Sequence, residues 1–344
     1  MSNSNNMFYR VKKLYHDLLH RAIGDWQFFL YDEHKKEKML LSQHYQARTP
    51  RPQTAPVAVF MANGYADHAG LCDRFKGMTT IYRWCKEHHY DFRICHTHPF
   101  LLDDYLVPNA YDWRIAATNV CYDHRWSSVN HCMLDHLVQR QMESGEILEL
   151  EQGWIGRRMD TKKIQRHFYT NFFPKSNLSF GQDFQELFKP APRLEQQLQL
   201  HTSNIGGPYI SMSFRFMQLL GDFKDCDGEI LPQKERADLI DRSVQAIEMV
   251  RQRHPDIQRI LVTADSSTFL DAARRLPYVY VIEGRVGHIK FENSDEVNMK
   301  TFLDFFMIAR AQKVYLGLAE KMYNSDFARR AAMVYQHDFE LLSY

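Results

Sequence analysis

The final third of the chain alternates between short apolar runs and longer segments with helical periodicity. The apolar runs predict four strands, at Tyr209–Phe216, Arg259–Ala264, Val279–Glu283 and Lys313–Leu318. Apolar residues spaced by three and four positions predict four helices, at Lys234–Arg253, Ser267–Arg275, Asn298–Arg310 and Ser325–Val334. This alternation predicts a parallel sheet covered on both faces, with ligands bound beyond the carboxyl ends of the strands.

An earlier segment predicts a second parallel sheet. The buried-strand pattern of Val57–Met61 is followed by a loop at 63–70, a helix at about Asp73–Glu87 and another strand at Tyr90–Cys95. Consecutive strands joined through a helix normally lie parallel. The sequence therefore predicts an α/β fold with two lobes of this type.

The rest of the chain is less regular. Residues 48–56 are rich in proline and polar residues, which indicates a connector. Residues 121–200 show helical periodicity at Val129–Met142 and Phe184–Leu200 without clear strands, so we expect them to be mostly helical. For 344 residues we predict an N-terminal helical or extended segment at 1–56, an N-terminal lobe with a helical insertion at 57–200 and a C-terminal lobe at 201–344.

Charge and cysteine content set the cellular context. Lys and Arg number 43 against 42 Asp and Glu, and a formal net charge of +1 is too small to attract the protein to nucleic acid. Six scattered cysteines without CxxC pairs are typical of free, mostly buried thiols in a reducing compartment, and the N-terminus lacks a signal-peptide pattern, so we expect a cytoplasmic protein. The amphipathic residues 7–20 allow peripheral membrane contact, but an ordinary packed surface helix is favoured.

An arginine stands at the end of the first C-terminal strand, in Ser213-Phe214-Arg215. A guanidinium among apolar residues must meet a carboxylate or an anionic ligand. It can donate two parallel hydrogen bonds to a phosphate and stabilise a diphosphate leaving group. A salt bridge to Asp222 or Asp265 explains the arginine equally well, and both alternatives stay open.

Two further turns open helices directly after predicted strands. Asp265 and Ser266 begin one helix, while Ser325, with Phe327 behind it, begins another. Free amide groups at a helix N-terminus suit phosphate oxygens, although simple helix capping accounts for the same residues. Both turns are expected on the same sheet edge as Arg215.

Other candidate sites are weaker. The loop ending at Gly70, with Asp73 and Arg74 after it, is neither a P-loop nor GxGxxG, but its glycine allows close approach to a ligand. His96 with His98, and His131 with Cys132 and His136, lack the spacing of a metal site. We therefore expect no metal and no cofactor.

Taken in order, these motifs resemble the GDP-fucose-dependent fucosyltransferases, the family of rhizobial nodulation, core α-1,6 and protein O-fucosyltransferases. Residues 70–77 are similar to the glycine loop of the family, residues 98–113 to the stretch after its second strand, and Ser213-Phe214-Arg215 to its His-x-Arg motif. Residues 263–266 are similar to its TD(S/T) turn, Lys300–Asp304 to its guanine-binding helix and Ser325-Asp326-Phe327 to its S-x-F turn. Ser213 replaces the usual histidine, and Phe216 stands where several members have a second arginine.

The resemblance implies a GT-B fold, in which two Rossmann-like lobes face a central cleft, and inverting, metal-independent transfer of fucose from GDP-fucose to a glycan hydroxyl. It implies that Arg215 contacts the β-phosphate, that Asp304 pairs with guanine, and that donor contacts come from Gly70, Arg74, Ser213, Asp265, Ser266, Ser325 and Phe327. Asp73 is the candidate general base, although pairing with Arg74 or capping its helix is favoured. Two alternatives stay open, namely a transferase for another nucleotide sugar and a non-catalytic nucleotide-sugar or glycan-binding protein.

Overall fold

The computed structural model describes residues 3–134, 148–173, 179–222, 229–287 and 294–344. These residues divide into two compact units. The first comprises residues 1–68, 76–95 and 114–175, and the second comprises residues 69–75, 96–113 and 176–344. This division differs from the predicted boundaries at 56 and 200, because residues 176–200 and two short earlier segments group with the C-terminal residues.

The first unit is built on a four-stranded sheet in the order β2-β1-β5-β4. Its elements are α1 (Asn3–His44), β1 (Val57–Ala62), most of α2 (Leu71–Glu87), β2 (Asp91–His96), β4 (Ser127–Cys132), α3 (Leu148–Met159) and β5 (Gln165–Thr170). Strands β1 and β4 both run parallel to β5. The predicted strand, helix and strand at 57–95 are confirmed.

The sequence prediction of a helix from Val129 onwards, and of no clear strands in this part of the chain, is wrong. Residues 127–132 form β4 instead of a helix, and β5 was not predicted; the rest of the predicted helix, from residue 135, lies outside the described residues. The cause is visible in β5, where the buried side chains include Gln165, Arg166 and His167. These polar groups are tolerated because they are paired, as in the 2.7 Å hydrogen bond between the Tyr45 hydroxyl and His167 Nδ1.

Helix α1 covers the exposed edge of this sheet. Glu33 and Glu37, both 4 % exposed, accept hydrogen bonds from the backbone amides of Met133 and His131 at 3.0 Å. Glu33 also accepts from His131 Nδ1 at 2.5 Å. Carboxylates therefore satisfy amide groups of an edge strand that would otherwise lack partners.

The second unit contains a five-stranded sheet in the order β11-β10-β7-β8-β9, and all four neighbouring pairs are parallel. Its strands are β7 (Tyr209–Phe214), β8 (Arg259–Ala264), β9 (Val279–Tyr280), β10 (Lys313–Leu318) and β11 (Asp338–Ser343). Its helices are α4 (Phe180–Leu187), α5 (Pro192–Ile205), α6 (Gln233–Arg253), α7 (Ser267–Ala273), α8 (Asp295–Ala309) and α9 (Asp326–Val334). A short antiparallel pair, β3 (Leu106–Pro108) with β6 (Phe188–Pro190), completes the unit.

Most of the predicted C-terminal elements are confirmed, with three corrections. The predicted helix Phe184–Leu200 is two helices separated by β6, because Pro190 and Pro192 interrupt it. Strand β9 ends at Tyr280 instead of Glu283, and β11 was not predicted. Helix α5 shows the expected end signals, with proline in its first turn and Gly206 at φ 80° as its C-cap.

The strand order fixes where a ligand can bind. The chain runs from the central strand β7 outwards through β8 to β9, and then returns to the other side of β7 to form β10 and β11. The order reverses between β7 and β10, and in open parallel sheets the crevice beyond the carboxyl ends of such a strand pair is the usual ligand site.

Candidate functional site

Arg215 lies directly beyond the carboxyl end of β7. Its Nη1 donates to Asp265 Oδ2 at 2.9 Å, and the two side chains are 19 % and 6 % exposed. Of the two carboxylates considered from the sequence, Asp265 is therefore the partner. Because 19 % of the Arg215 side chain stays exposed in this ion pair, holding by Asp265 and contact with an anion are compatible roles.

Asp265 organises the whole turn after β7. Besides Arg215, its two carboxylate oxygens accept hydrogen bonds from the backbone amides of Phe216 and Met217, both at 2.8 Å. Met217 has a φ of 54°, in the left-handed region that a methionine adopts at an energetic cost. Burial raises the pKa of Asp265, while Arg215 and the two amides act in the opposite direction. The carboxylate thus stabilises a strained turn that positions the arginine.

The turn after β10 is hydrogen-bonded to the turn that carries Arg215. The amide of Tyr323 donates to the carbonyl oxygen of Arg215 at 3.1 Å. Two residues later, the Ser325 hydroxyl accepts from the amide of Phe327 at 3.2 Å and caps α9. The structure therefore brings Arg215, Asp265 and the Ser325 turn together at the switch point between β7 and β10.

Ser213 is buried at the end of β7 and pairs with the neighbouring strand. Its hydroxyl lies 2.8 Å from the hydroxyl of Thr263, its register partner on β8. Ser213 stands where the His-x-Arg motif of the fucosyltransferases has its histidine, so a hydroxyl pair replaces an imidazole at this position. Thr263 was not among the predicted site residues, although Ser213 and Thr263 each stand one position before the end of their strand, so pairing the two strands in register brings them together.

The N-terminus of α7 is occupied by a carboxylate of the chain itself. Ser266 accepts from the amide of Phe269 at 3.1 Å and donates to Asp222 Oδ2 at 2.9 Å. Asp222 Oδ2 also accepts from the amide of Thr268 at 2.8 Å. A carboxylate here interacts favourably with the helix dipole. The described geometry of Ser266 is thus that of a helix cap, and its contact with a donor phosphate stays a prediction.

Asp304 lies on α8 and is paired within its own helix. Lys300 Nζ lies 2.5 Å from Asp304 Oδ2, with side-chain exposures of 5 % and 14 %. Asp304 Oδ1 is buried and has no hydrogen-bond partner among the described residues. Burial raises the pKa of Asp304, whereas Lys300 and His201 act to lower it. Lys300 was not a predicted site residue, but a lysine four positions before an aspartate on a helix signals such a pair.

The Gly70 loop has a structural role in the second unit. The carbonyl of Gly70 accepts from the amides of Asp73 and Arg74 at 3.1 and 3.3 Å. Arg74 is 3 % exposed and donates to the carbonyls of Ala69 and His98 at 3.2 and 2.9 Å. It also lies 3.2 Å from His96 Nε2. Arg74 therefore ties this loop to the segment after β2, and its predicted donor contact, like the role of Asp73 as base, stays a prediction.

The described histidine and cysteine side chains do not form a metal site. Among the described residues, no group of three or more His, Cys, Asp or Glu side chains is placed to hold a metal ion. Five cysteines are buried and free, as predicted, namely Cys72, Cys85, Cys95, Cys121 and Cys132. The other candidates named from the sequence, His136 and Cys226, lie outside the described residues. No described helix has the length and apolar character needed to cross a membrane.

Comparison with solved structures identifies proteins of similar fold, whereas comparison of the sequence does not. No family model and no curated protein matches the sequence. The structure is similar to NodZ α-1,6-fucosyltransferase soaked with GDP-fucose, with a TM-score of 0.53 and 10% identity over 82% of this chain and 93% of that chain. An Arabidopsis thaliana FUT1 variant in complex with GDP gives a TM-score of 0.52 and 11% identity over 96% and 78% of the two chains. NodZ from Bradyrhizobium gives 0.50 and 10% over 81% and 92%.

The chain has the fold of solved fucosyltransferases. The predicted fold class, α/β with a parallel sheet in each of two units, is confirmed by the two sheets and by this likeness. At 10–11% identity, the likeness establishes the fold alone.

Proposed function

We propose that this protein is a glycosyltransferase that transfers fucose from GDP-fucose to a hydroxyl group of a glycan. The observation that supports it most is the position of Arg215 at the switch point of a parallel sheet, held by Asp265 at 2.9 Å and bonded through its carbonyl to the turn before α9. The fold neighbours with bound GDP or soaked GDP-fucose support the same donor.

In this proposal Arg215 stabilises the diphosphate as it leaves. The acceptor oxygen attacks the anomeric carbon, the bond from that carbon to the β-phosphate oxygen breaks, and the electron pair goes to GDP. A guanidinium that is already fixed by Asp265 needs no reorganisation to stabilise the developing negative charge. This electrostatic role supports transfer without a metal. In the proposal the acceptor attacks from the face opposite GDP in a single displacement, which inverts the sugar carbon.

The acceptor proton needs a base. Asp73, in the first turn of α2, is the candidate. The rest of the donor site is proposed to follow the sequence resemblance, with Asp304 reading guanine and contacts from Gly70, Arg74, Ser213, Ser266, Ser325 and Phe327. We place the protein in the cytoplasm, a setting supported by the free thiols of the five described cysteines.

A second candidate is a transferase for another nucleotide sugar. The hydroxyl pair Ser213–Thr263 in place of a histidine, together with the pairing of Asp304 by Lys300, favours it because both alter the expected guanine contacts.

Calorimetric titration of the wild-type protein with GDP, GDP-fucose, GDP-mannose and UDP, without added metal, tests the proposal. Selective binding of guanine nucleotides, followed by release of GDP from GDP-fucose in the presence of a glycan acceptor panel, is expected. Selective binding of UDP would favour the second candidate. Binding of none of the four would overturn the proposed function.

A further inference from the structure

A groove lined mainly by side-chain amides lies between α4, the segment after β3 and the turn before β11. Its cavity volume is about 340 Å³, within the range of roughly 300–1,000 Å³ that is usual for small-molecule sites. The residues that line it are Asn109, Ala110, Gln182, Gln185, Glu186 and Gln336. Four of these six carry a neutral amide, and Glu186 is the one charged group among them.

Hydrogen bonds hold the walls of the groove together. The backbone amides of Ala110 and Tyr111 donate to the carbonyl oxygen of Glu186 at 2.9 and 3.0 Å. From α4, Gln185 Nε2 donates to the carbonyl oxygen of Val334, the last residue of α9, at 2.6 Å. The groove is therefore formed before any ligand enters, which lowers the entropic cost of binding.

The amides offer both kinds of hydrogen-bonding group to a ligand. Asn109 Nδ2 donates to the carbonyl oxygen of Gln185 at 2.7 Å, and Gln182 Nε2 donates to Glu186 Oε1 at 3.2 Å. These bonds fix the side chains, and each amide has an oxygen and a second N–H besides. A hydroxyl group is at once a donor and an acceptor, so ligands rich in hydroxyl groups match this lining. A phosphate does not match, because it is negatively charged and the lining has a carboxylate but no cation.

The groove and Arg215 lie at opposite edges of the same sheet. Gln336 comes two residues before β11, whereas Arg215 directly follows β7. Both strands run parallel to β10 and have six residues, a length of about 20 Å. The groove is therefore separate from the switch point at which the donor site is proposed.

We propose that this groove is a second carbohydrate-binding site, which holds an uncharged stretch of a glycan. Hydrogen bonds join the hydroxyl groups of the glycan to the side-chain amides of Asn109, Gln182, Gln185 and Gln336. The site goes beyond the proposed function, because a glycan held here lies at the opposite edge of the sheet from Arg215 and takes no part in the transfer step. Its role is to retain a long glycan on the protein.

The test measures binding of three uncharged hexasaccharides, namely maltohexaose, cellohexaose and chitohexaose, by saturation-transfer NMR titration. Gln182→Ala removes one amide and Ala110→Arg fills the groove; both positions are exposed, and circular dichroism checks that each variant is folded. The matched control is Gln199→Ala, which removes the same kind of glutamine–glutamate pair four residues apart, at 3.3 Å on α5. Spermidine is the cationic probe, since the Glu186 carboxylate could attract a cation instead.

Wild type and Gln199→Ala are expected to bind at least one of the hexasaccharides with the same Kd. In Gln182→Ala this Kd is expected to rise about twofold to tenfold, as for the loss of one hydrogen bond. Ala110→Arg is expected to lose the binding, because its side chain occupies the groove.

Binding of no hexasaccharide by the wild type, or an unchanged Kd in both groove variants, would overturn the inference. Binding of spermidine alone, lost in Ala110→Arg, would show a cation site and would likewise overturn it. Calorimetric titration with GDP is expected to give the wild-type affinity in both groove variants. Failure of the glycan site therefore leaves the proposed function standing, and failure to bind guanine nucleotides would overturn that function alone.

Discussion

Replacement of Asp265 by asparagine is the sharpest test of how the Arg215 turn is built. The carboxylate receives the Arg215 guanidinium at 2.9 Å and the amides of Phe216 and Met217 at 2.8 Å each. Asparagine keeps the shape but offers one oxygen and one NH₂ group. One of the three donors must then face another donor, and the arginine loses its counter-charge.

The cost can be worked from this geometry. Removing one partner of a fully buried ion pair typically costs about 3–5 kcal/mol, because the other charge stays in the interior. Asp265 is 6 % exposed but Arg215 is 19 % exposed. Solvent therefore screens the arginine in part, and we expect Asp265→Asn to lower the free energy of unfolding of the second unit by about 2–4 kcal/mol.

Thermal melting gives the global effect, and hydrogen exchange at the amides of Phe216 and Met217 gives the local one. Both amides are expected to exchange faster in Asp265→Asn. The matched control is Asp222→Asn, which alters a carboxylate at the exposed start of α7 and should cost about 0.5–1 kcal/mol. If Asp265→Asn has the melting temperature of the wild type, and the amides of Phe216 and Met217 stay protected from exchange, Asp265 does not organise the turn.

Two further predictions concern the first unit. Gly77→Ala should destabilise it by about 1–3 kcal/mol or more, because the new Cβ would overlap the carbonyl oxygen of Thr170. Gly156→Ala, with no atom within 4 Å of the new Cβ, should be neutral or stabilising. Equal melting temperatures for the two variants would contradict this packing. Burial opposes the ionisation of Glu33, but the neighbouring histidine and lysine lower its pKa below the ordinary 4.5. Its contribution to stability is therefore present above pH 4.5 and lost as the pH falls through the lowered pKa; melting between pH 3 and 7 should show this loss in the wild type and not in Glu33→Gln.

Four of the five strands of the C-terminal sheet could be predicted because they are largely apolar and the helices between them carry clear start signals. All six residues of β7 are buried, and only Ser211 and Ser213 interrupt its apolar and aromatic side chains. The serines that cap α7 and α9 mark where those helices begin. Sequence periodicity and capping therefore sufficed to place Arg215, Ser266 and Ser325 at the ends of the correct elements.

The remainder depended on contacts between distant residues. Strand β5 carries buried Gln165 and His167, whose polarity hides it from any hydrophobic pattern until their partners are known. The same holds for the site, since nothing local in the sequence shows that Arg215 pairs with Asp265 while Asp222 caps α7. The order of the strands, which creates the switch point, is likewise set by pairing across the sheet.

The central claim is that Arg215 binds the diphosphate of a guanine nucleotide, and calorimetric titration of GDP into wild type and Arg215→Ala tests it most directly. The control is Arg253→Ala, which also removes an arginine–carboxylate pair, but one whose arginine is 47 % exposed and whose partner is Glu340. We expect Arg215→Ala to stay folded and to bind GDP at least about tenfold more weakly, a loss of ~1.4 kcal/mol, while Arg253→Ala binds like the wild type. A folded Arg215→Ala variant with wild-type affinity for GDP would contradict it.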